Sequence, residues 1–120
     1  MIIVDDCVSN CRILNEFCKA NGFEVLAILN SSENVVAEYE RRKPDVIIMD
    51  YLMPEKDGIT TTKELTAKYP DAKVVLFSAV GSWDTQAHAK DSGAVGYIQK
   101  PFYVKLMDFI KGLEMSITPA

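Results

Sequence analysis

The stretch from Val46 to Gly58 constrains the fold more than any other part of the chain: Val-Ile-Ile-Met-Asp-Tyr-Leu-Met-Pro-Glu-Lys-Asp-Gly. Its four leading apolar residues predict a short strand covered on both faces, as in a parallel sheet. The strand ends on Asp50, and the Met-Pro and Asp-Gly pairs that follow indicate turns. Asp50 is therefore placed at the carboxyl end of a buried strand, where open α/β sheets bind ligands. Taken alone, the stretch also allows Asp50 simply to end the strand or cap the next helix.

Length and composition restrict the class of protein. A chain of 120 residues is enough for one domain with a core, and 48% apolar with 25% charged residues is typical of globular domains. The net charge of −4 argues against direct nucleic-acid binding. We find no apolar run of membrane-spanning length and no signal-peptide pattern, which predicts a cytoplasmic protein without membrane association. Three cysteines without C-x-x-C spacing argue against a zinc site.

Apolar runs and turn residues predict five strands that alternate with five helices. The strands are expected at 1–4, 23–29, 46–49, 73–77 and 95–99, and the helices at about 9–21, 31–43, 58–69, 83–92 and 103–113. Gly22 and Pro44 mark the ends of the first two helices. Strict alternation predicts a parallel sheet with helices on both faces. Residues 114–120 are expected to form a loosely held tail.

Acidic, hydroxyl or basic residues directly follow four of the five predicted strands. Strands one, three, four and five end on Asp5-Asp6, Asp50, Ser78 and Lys100, respectively. The carboxyl ends of parallel strands share one edge of the sheet, so we expect these side chains to converge. Two carboxylates about 4 Å apart repel by roughly 4 kcal/mol at an effective dielectric of about 20, which favours either a protonated carboxyl group or a bound cation. Mg²⁺ suits such a set of oxygen ligands.

The chemistry of this predicted pocket favours a phosphoryl group. A metal ion and a lysine would neutralise phosphoryl oxygens, and a serine hydroxyl would donate a hydrogen bond to one of them. A carboxylate in the same pocket can act as the nucleophile and form an aspartyl phosphate. Asp50 is the best candidate because it stands alone at the end of a central strand.

Four motifs together resemble the receiver domain of two-component response regulators. They are Asp5-Asp6, Asp50-x-x-Met53-Pro54-x-x-x-Gly58, Ser78-Ala79 and Lys100-Pro101, and the resemblance covers nearly the whole chain. It implies a receiver domain over residues 1–113, followed by the tail at 114–120. The implied fold is α/β: a flavodoxin-like (βα)5 three-layer sandwich whose five parallel strands have the order 2-1-3-4-5.

The resemblance also implies roles for individual residues. Asp50 would accept a phosphoryl group from the phosphohistidine of a histidine kinase, in a Mg²⁺-dependent reaction that the receiver itself catalyses without being an enzyme for another substrate. The implied roles are metal ligation by Asp6, Asp50 and the Leu52 carbonyl, with Asp5 acting through water; phosphoryl binding by Ser78, the Ala79 N–H and Lys100; switching by Ser78 and Tyr97; and a cis peptide bond at Pro101.

The partners implied by the resemblance are proteins. A sensor histidine kinase or phosphotransfer protein would supply the phosphoryl group, and a downstream target would bind the fourth helix, fifth strand and fifth helix. We expect a monomer or weak dimer that acts as a stand-alone regulator. The alternatives are a receiver domain of a DNA-binding regulator or hybrid kinase, or a scaffold that works without phosphorylation.

Other proteins that share parts of this pattern fit less well. A haloacid-dehalogenase-type enzyme needs a second Asp two residues after the nucleophile, where this chain has Leu52. A flavodoxin-type flavin carrier needs a phosphate loop after strand one, where Asp5-Asp6 would repel the phosphate, and dinucleotide binding lacks its G-x-G-x-x-G motif. Leu52 and Val80 flank the expected path of an attacking water and cannot orient it, which predicts slow self-dephosphorylation.

Overall fold

The computed structural model describes the backbone of residues 1–117 and the side chains of residues 1–113. Five strands and five helices alternate along the chain, as the sequence predicted. The strands are β1 (Ile2–Val4), β2 (Ala27–Leu29), β3 (Ile47–Met49), β4 (Val74–Ser78) and β5 (Gly96–Gln99). The helices are α1 (Val8–Ala20), α2 (Val35–Arg42), α3 (Gly58–Lys68), α4 (Trp83–Asp91) and α5 (Tyr103–Ile117).

All strand pairs are parallel, and the strand order is β2-β1-β3-β4-β5. This confirms the predicted α/β fold and strand order. The three central strands are buried on both faces, which explains their uninterrupted apolar sequences.

The two faces of the sheet pack against different helices. Alternate strand residues, including Ile3, Ile48 and Phe77, share one buried cluster with residues of α1 and α5. Their neighbours in the strands, including Ile47 and Leu76, share a second cluster with residues of α2, α3 and α4. The result is a three-layer sandwich, because successive strand residues point to opposite faces.

Three predicted boundaries were wrong. Strand β2 begins at Ala27 and not at Phe23, because the Phe23 N–H instead donates to the carbonyl of Cys18 at the end of α1. Helix α2 begins at Val35 and not at Ser31 or Ser32, since a turn in which the Val35 N–H bonds the Ser32 carbonyl precedes it. These departures follow from local backbone hydrogen bonds that the apolar pattern does not encode.

The third wrong boundary is the end of α5, which continues to Ile117, four residues beyond the predicted end. The residues after Leu113 include helix-favouring Glu114 and Met115, and neither Gly nor Pro interrupts them before Ile117. The rest of the tail predicted at 114–120, residues 118–120, lies outside the described residues. Among the described helices, none is long and apolar enough to cross a membrane.

Candidate functional site at the carboxyl edge of the sheet

Three carboxylates meet where β1 and β3 end. Each of Asp5, Asp6 and Asp50 offers a carboxylate oxygen within 4.8 Å of those of the other two. Asp5 is buried, Asp50 is partly buried and Asp6 is exposed. The sequence predicted this convergence from strand ends that lie far apart along the chain. So many oxygen ligands in one place could hold a hard divalent cation.

The carboxylate of Asp5 is held on both sides. Its Oδ1 accepts a hydrogen bond from the Cys7 N–H at 2.9 Å, and its Oδ2 lies 2.7 Å from the ammonium nitrogen of Lys100. The backbone carbonyl of Asp5 also accepts hydrogen bonds from the Asn30 side chain at 3.0 Å and the Cys11 thiol at 3.2 Å. Asp5 is therefore a fixed part of the pocket wall, whereas Asp6 has no hydrogen bond or ion pair among the described residues.

Lys100 reaches into the acidic cluster from the end of β5. Its Nζ lies 2.7 Å from Asp5 and 3.5 Å from Asp50, and only 14% of its side chain is exposed. Burial acts to lower the pKa of Lys100, but the hydrogen bond with Asp5 and the charges of both carboxylates outweigh it, so the pKa is raised. The ammonium group is therefore charged at neutral pH. The Lys100–Pro101 peptide bond is cis.

Asp50 is positioned by the backbone on either side of it. Its N–H donates to the Val4 carbonyl at 2.9 Å, which ties it to β1, and its Oδ1 accepts from the Tyr51 N–H at 2.9 Å. Burial, with a contribution from the Asp5 charge, raises the pKa of Asp50 above its ordinary value, against the opposing effect of Lys100. Among the described hydrogen bonds and ion pairs of the Asp50 side chain, those given involve Oδ1 and none involves Oδ2.

Gly58 allows the loop after β3 to close tightly over Asp50. A Cβ atom at this position would lie 2.0 Å from the Asp50 carbonyl oxygen, which is far inside van der Waals contact. The Gly58 N–H donates to the Tyr51 carbonyl at 2.7 Å, and the Asp57 side chain caps α3 by accepting from the Thr60 N–H. The Asp-Gly turn of the sequence thus ends the loop and begins α3 directly beside the candidate reactive residue.

Ser78 and Ala79 lie at the carboxyl end of β4, and Tyr97 lies in the neighbouring strand β5, paired with Leu76. Ser78 is buried, and its hydroxyl accepts a hydrogen bond from the Val80 N–H at 3.3 Å. The Tyr97 hydroxyl donates to the Val80 carbonyl, so the partly buried tyrosine side chain reaches the loop after β4. Burial raises the pKa of Tyr97. The predicted switch pair is therefore joined through the backbone of one residue, Val80.

Some residues of the site were not identified from the sequence. Asn30 follows β2 as the acidic and hydroxyl residues follow the other strands, and this position was the available signal for its contact with Asp5. The backbone donors of Cys7 and Tyr51 carry no sequence signal, since every residue except proline has an N–H group. The sequence pattern identifies Phe77 only as a residue of a buried strand and does not predict that its ring lies beneath Lys100.

Comparison with known proteins identifies the family. The sequence matches the response regulator receiver domain over residues 1–111. The chain belongs to this family. The receiver is 35% identical to the chemotaxis protein CheY of Listeria monocytogenes serovar 1/2a over 102 residues, which are 85% of this chain and 86% of that protein. It is also 35% identical to part of the transcriptional regulatory protein ZraR of Escherichia coli O157:H7, covering 84% of this chain but 23% of ZraR.

A solved structure supports the same assignment. The receiver superposes with a TM-score of 0.88 on a chain of the CheX–CheY–BeF3–Mg²⁺ complex from Borrelia burgdorferi, at 27% identity, covering 94% of this chain and 87% of that chain. Sequence and fold therefore agree that this is a CheY-like receiver of two-component signalling. The relatives include both a protein of similar length and a much longer regulator.

Proposed function

We propose that this receiver is a switch that accepts a phosphoryl group on Asp50 and then binds a partner protein differently. The observation that carries the proposal is the placement of Asp50 at a central strand end, 3.5 Å from Lys100, in a cluster with two further carboxylates. A sensor histidine kinase or phosphotransfer protein is the proposed donor. The proposal is supported by the CheY relatives, which are similar to this chain along most of their length.

The chemistry assigns a separate task to each side chain. A carboxylate oxygen of Asp50 forms a bond to phosphorus while the bond between phosphorus and the donor's nitrogen breaks. Lys100 pairs with the phosphoryl oxygens, and Ser78 and the Ala79 N–H donate hydrogen bonds to them. Such fixed positive charges and donors act strongly because the pocket is partly shielded from water. The receiver supplies this catalysis for its own modification and does not act as an enzyme on another substrate.

The residues of the acidic cluster fit Mg²⁺. Carboxylates are the hard oxygen ligands that this ion prefers, and the Borrelia burgdorferi relative was solved in a complex with it. Asp6, Asp50 and the Leu52 carbonyl would hold the ion. Asp5 would act through water, since both of its oxygens already have partners. When bound, Mg²⁺ supplies positive charge that offsets the crowded carboxylates and the phosphoryl oxygens.

The switch would connect Asp50 to the surface formed by α4, β5 and α5. Attraction of Ser78 to the phosphoryl group would change the loop that Tyr97 holds through the Val80 carbonyl. Two arrangements of this loop and ring would be the states that phosphorylation biases. A groove of about 350 Å³ between α4 and β5, with Tyr97 at its edge, is the proposed contact for a downstream protein. We propose that the receiver is a stand-alone regulator that works in the cytoplasm as a monomer or weak dimer. It would act by docking on that protein.

Intact-mass spectrometry with a small phosphodonor tests the proposed function. Incubation with acetyl phosphate and Mg²⁺ is expected to add one phosphoryl group to the wild-type protein and none to Asp50→Asn. Asp108→Asn, which removes an exposed carboxylate from α5, is the matched control and should react like the wild type. Absence of any mass gain in the wild type, with or without Mg²⁺, would overturn the switch function and leave the fold unaffected.

Mg²⁺ is expected to stabilise the folded protein through Asp6. A ligand at about 100 times its dissociation constant adds roughly 2.7 kcal/mol to the free energy of unfolding, which raises the melting temperature on the order of 10 °C for a domain of this size. Asp6→Asn should remove most of this rise, because it removes the exposed, unpaired carboxylate of the cluster. Thermal unfolding at increasing Mg²⁺ measures the effect. An equal rise in Asp6→Asn and the wild type would exclude Asp6 as a ligand.

The phosphorylated form is expected to be long-lived because of Leu52. Its side chain is apolar and 59% exposed, two residues beyond Asp50, so it cannot align a water molecule for attack on the phosphoryl group. Leu52→Asn should shorten the half-life about ten-fold or more by adding a group that can orient water, whereas Leu52→Ala should change it little. Loss of the mass gain over time after removal of the phosphodonor gives the half-life. Identical decay in all three proteins would contradict this account.

A further inference from the structure

Lys100 has a third neighbour besides the two carboxylates. Its Nζ lies 5.9 Å from the centroid of the Phe77 ring, within the range of a cation–π interaction. Phe77 precedes Ser78 in β4 and is 2% exposed. The ammonium group is thus held between Asp5 and Asp50 on one side and a fully buried aromatic ring on another.

The ring of Phe77 is itself held in place by two further aromatic residues. The Tyr103 ring meets it in an edge-on arrangement, with centroids 5.2 Å apart and planes inclined by 67°. Tyr103 is in turn supported by Phe17 of α1. The two rings are stacked, with centroids 4.8 Å apart and planes inclined by 6°. Edge-on and stacked arrangements are the favourable geometries of aromatic pairs, so the column of rings fixes the orientation of Phe77.

The three neighbours of Lys100 differ in whether a metal ion or a phosphoryl group would also bind to them. Asp5 and Asp50 belong to the cluster that would hold Mg²⁺, and the Asp50 carboxylate that now lies 3.5 Å from Lys100 would bind the cation or be converted to an acyl phosphate. The face of Phe77 is a neutral partner whose attraction for a cation comes from its quadrupole, and neither the carboxylates nor a phosphoryl group competes with Lys100 for it. The Phe77 ring therefore remains a partner for Lys100 when Asp50 binds a metal ion or carries a phosphoryl group.

We propose that Phe77 is a positioning residue for phosphoryl transfer: its ring face helps to keep the Lys100 ammonium group in the pocket while Asp50 binds the metal ion and accepts the phosphoryl group. This inference rests on the proposed function of Asp50. Phe77 acts only through Lys100. An aliphatic residue of similar size could fill the same space in the core but would offer no such attraction to the cation.

Fluorination of the Phe77 ring separates the electrostatic role from the packing role. Mono-, di- and trifluorinated phenylalanine, incorporated at this position alone, weaken the negative potential of the ring face stepwise with little change in shape. The same series at Phe109, whose ring packs over Gly96, is the matched control. The rate of phosphorylation by acetyl phosphate should fall stepwise at Phe77, by roughly three- to ten-fold over the series, and remain constant at Phe109.

Two further measurements complement the rate series, and the first of them does not depend on phosphoryl transfer. NMR of the Lys100 ε-methylene group, recorded with and without Mg²⁺, should show a ring-current shift that persists on adding Mg²⁺ to the unmodified protein and diminishes with fluorination of Phe77. Phe77→Leu provides a variant without any ring, and its reaction should be slowed at least as much as by trifluorination.

The outcomes distinguish this inference from the proposed function. A stepwise loss of rate and of the Mg²⁺-resistant NMR shift at Phe77 alone would support the positioning role. If the unmodified protein is phosphorylated normally, three results would overturn the role of Phe77 and leave that of Asp50 standing. They are a rate that does not change with fluorination of Phe77, an equal change on fluorination of Phe109, and a folded Phe77→Leu variant that reacts at the wild-type rate. No phosphorylation of the unmodified protein would overturn the proposed function and, with it, this inference.

Discussion

Gly58→Ala is expected to lower the free energy of unfolding by about 2–4 kcal/mol and to displace Asp50. The added Cβ would lie 2.0 Å from the Asp50 carbonyl oxygen and 3.0 Å from its carbonyl carbon. Both are backbone atoms at the end of a buried strand, so relief requires movement of β3 or of the first turn of α3. Because that movement involves the candidate phosphoacceptor itself, phosphorylation should be slowed even where the variant remains folded.

Chemical denaturation of Gly58→Ala beside Gly112→Ala tests this expectation. Gly112 lies within α5, and a Cβ atom there would meet nothing within 4 Å. Gly112→Ala should therefore stabilise the protein by about 0.5–1 kcal/mol through the higher helix propensity of alanine. Equal stability changes in the two variants would show that the close approach to Asp50 has no energetic consequence.

Lys100→Met is expected to slow phosphorylation by acetyl phosphate about 100-fold, because it removes the fixed positive charge opposite the phosphoryl oxygens while keeping an unbranched side chain. It also leaves the buried Asp5 carboxylate without its ion-pair partner. Breaking a buried pair in this way costs on the order of 3 kcal/mol of stability when no metal ion is present. Lys105→Met, at an exposed position of α5, is the control and should change neither quantity.

The stability lost in Lys100→Met should depend on pH in a defined direction. The pKa of Asp50 is already raised by burial and by the Asp5 charge, and loss of Lys100 removes the main opposing effect. A raised carboxyl pKa favours folding at low pH, where the carboxyl group is neutral, and disfavours it above that pKa. The stability difference between variant and wild type should therefore shrink on acidification below neutral pH. A difference that stays constant or grows with acidification would contradict the assigned pairing.

The sequence was sufficient for the sheet and for the acidic cluster because both follow from strand ends. Apolar runs located the strands, and the parallel arrangement brings their carboxyl ends to one edge, which places Asp5, Asp50 and Lys100 together without knowledge of side-chain packing. The strand order 2-1-3-4-5, in contrast, came from resemblance to the family, since alternation of strands and helices is compatible with several orders.

What could not be predicted depends on three-dimensional packing or on backbone groups. The hydrogen bond between Tyr97 and the Val80 carbonyl requires the relative placement of β5 and the loop after β4. The contact between Phe77 and Lys100 joins residues that a strand pattern treats as unrelated, one as core and one as a strand end. The late start of α2 reflects a local turn whose residues also suit a helix N-terminus.

Reductive mapping of the modified residue can show which carboxylate accepts the phosphoryl group. Borohydride converts the acyl phosphate of an aspartate to homoserine, which peptide mass spectrometry can place at a single position. After treatment with acetyl phosphate and Mg²⁺, we expect homoserine at position 50 and at no other position. Homoserine at position 5 or 6, or none despite a phosphoryl mass gain, would contradict the assignment of Asp50 as the phosphoacceptor.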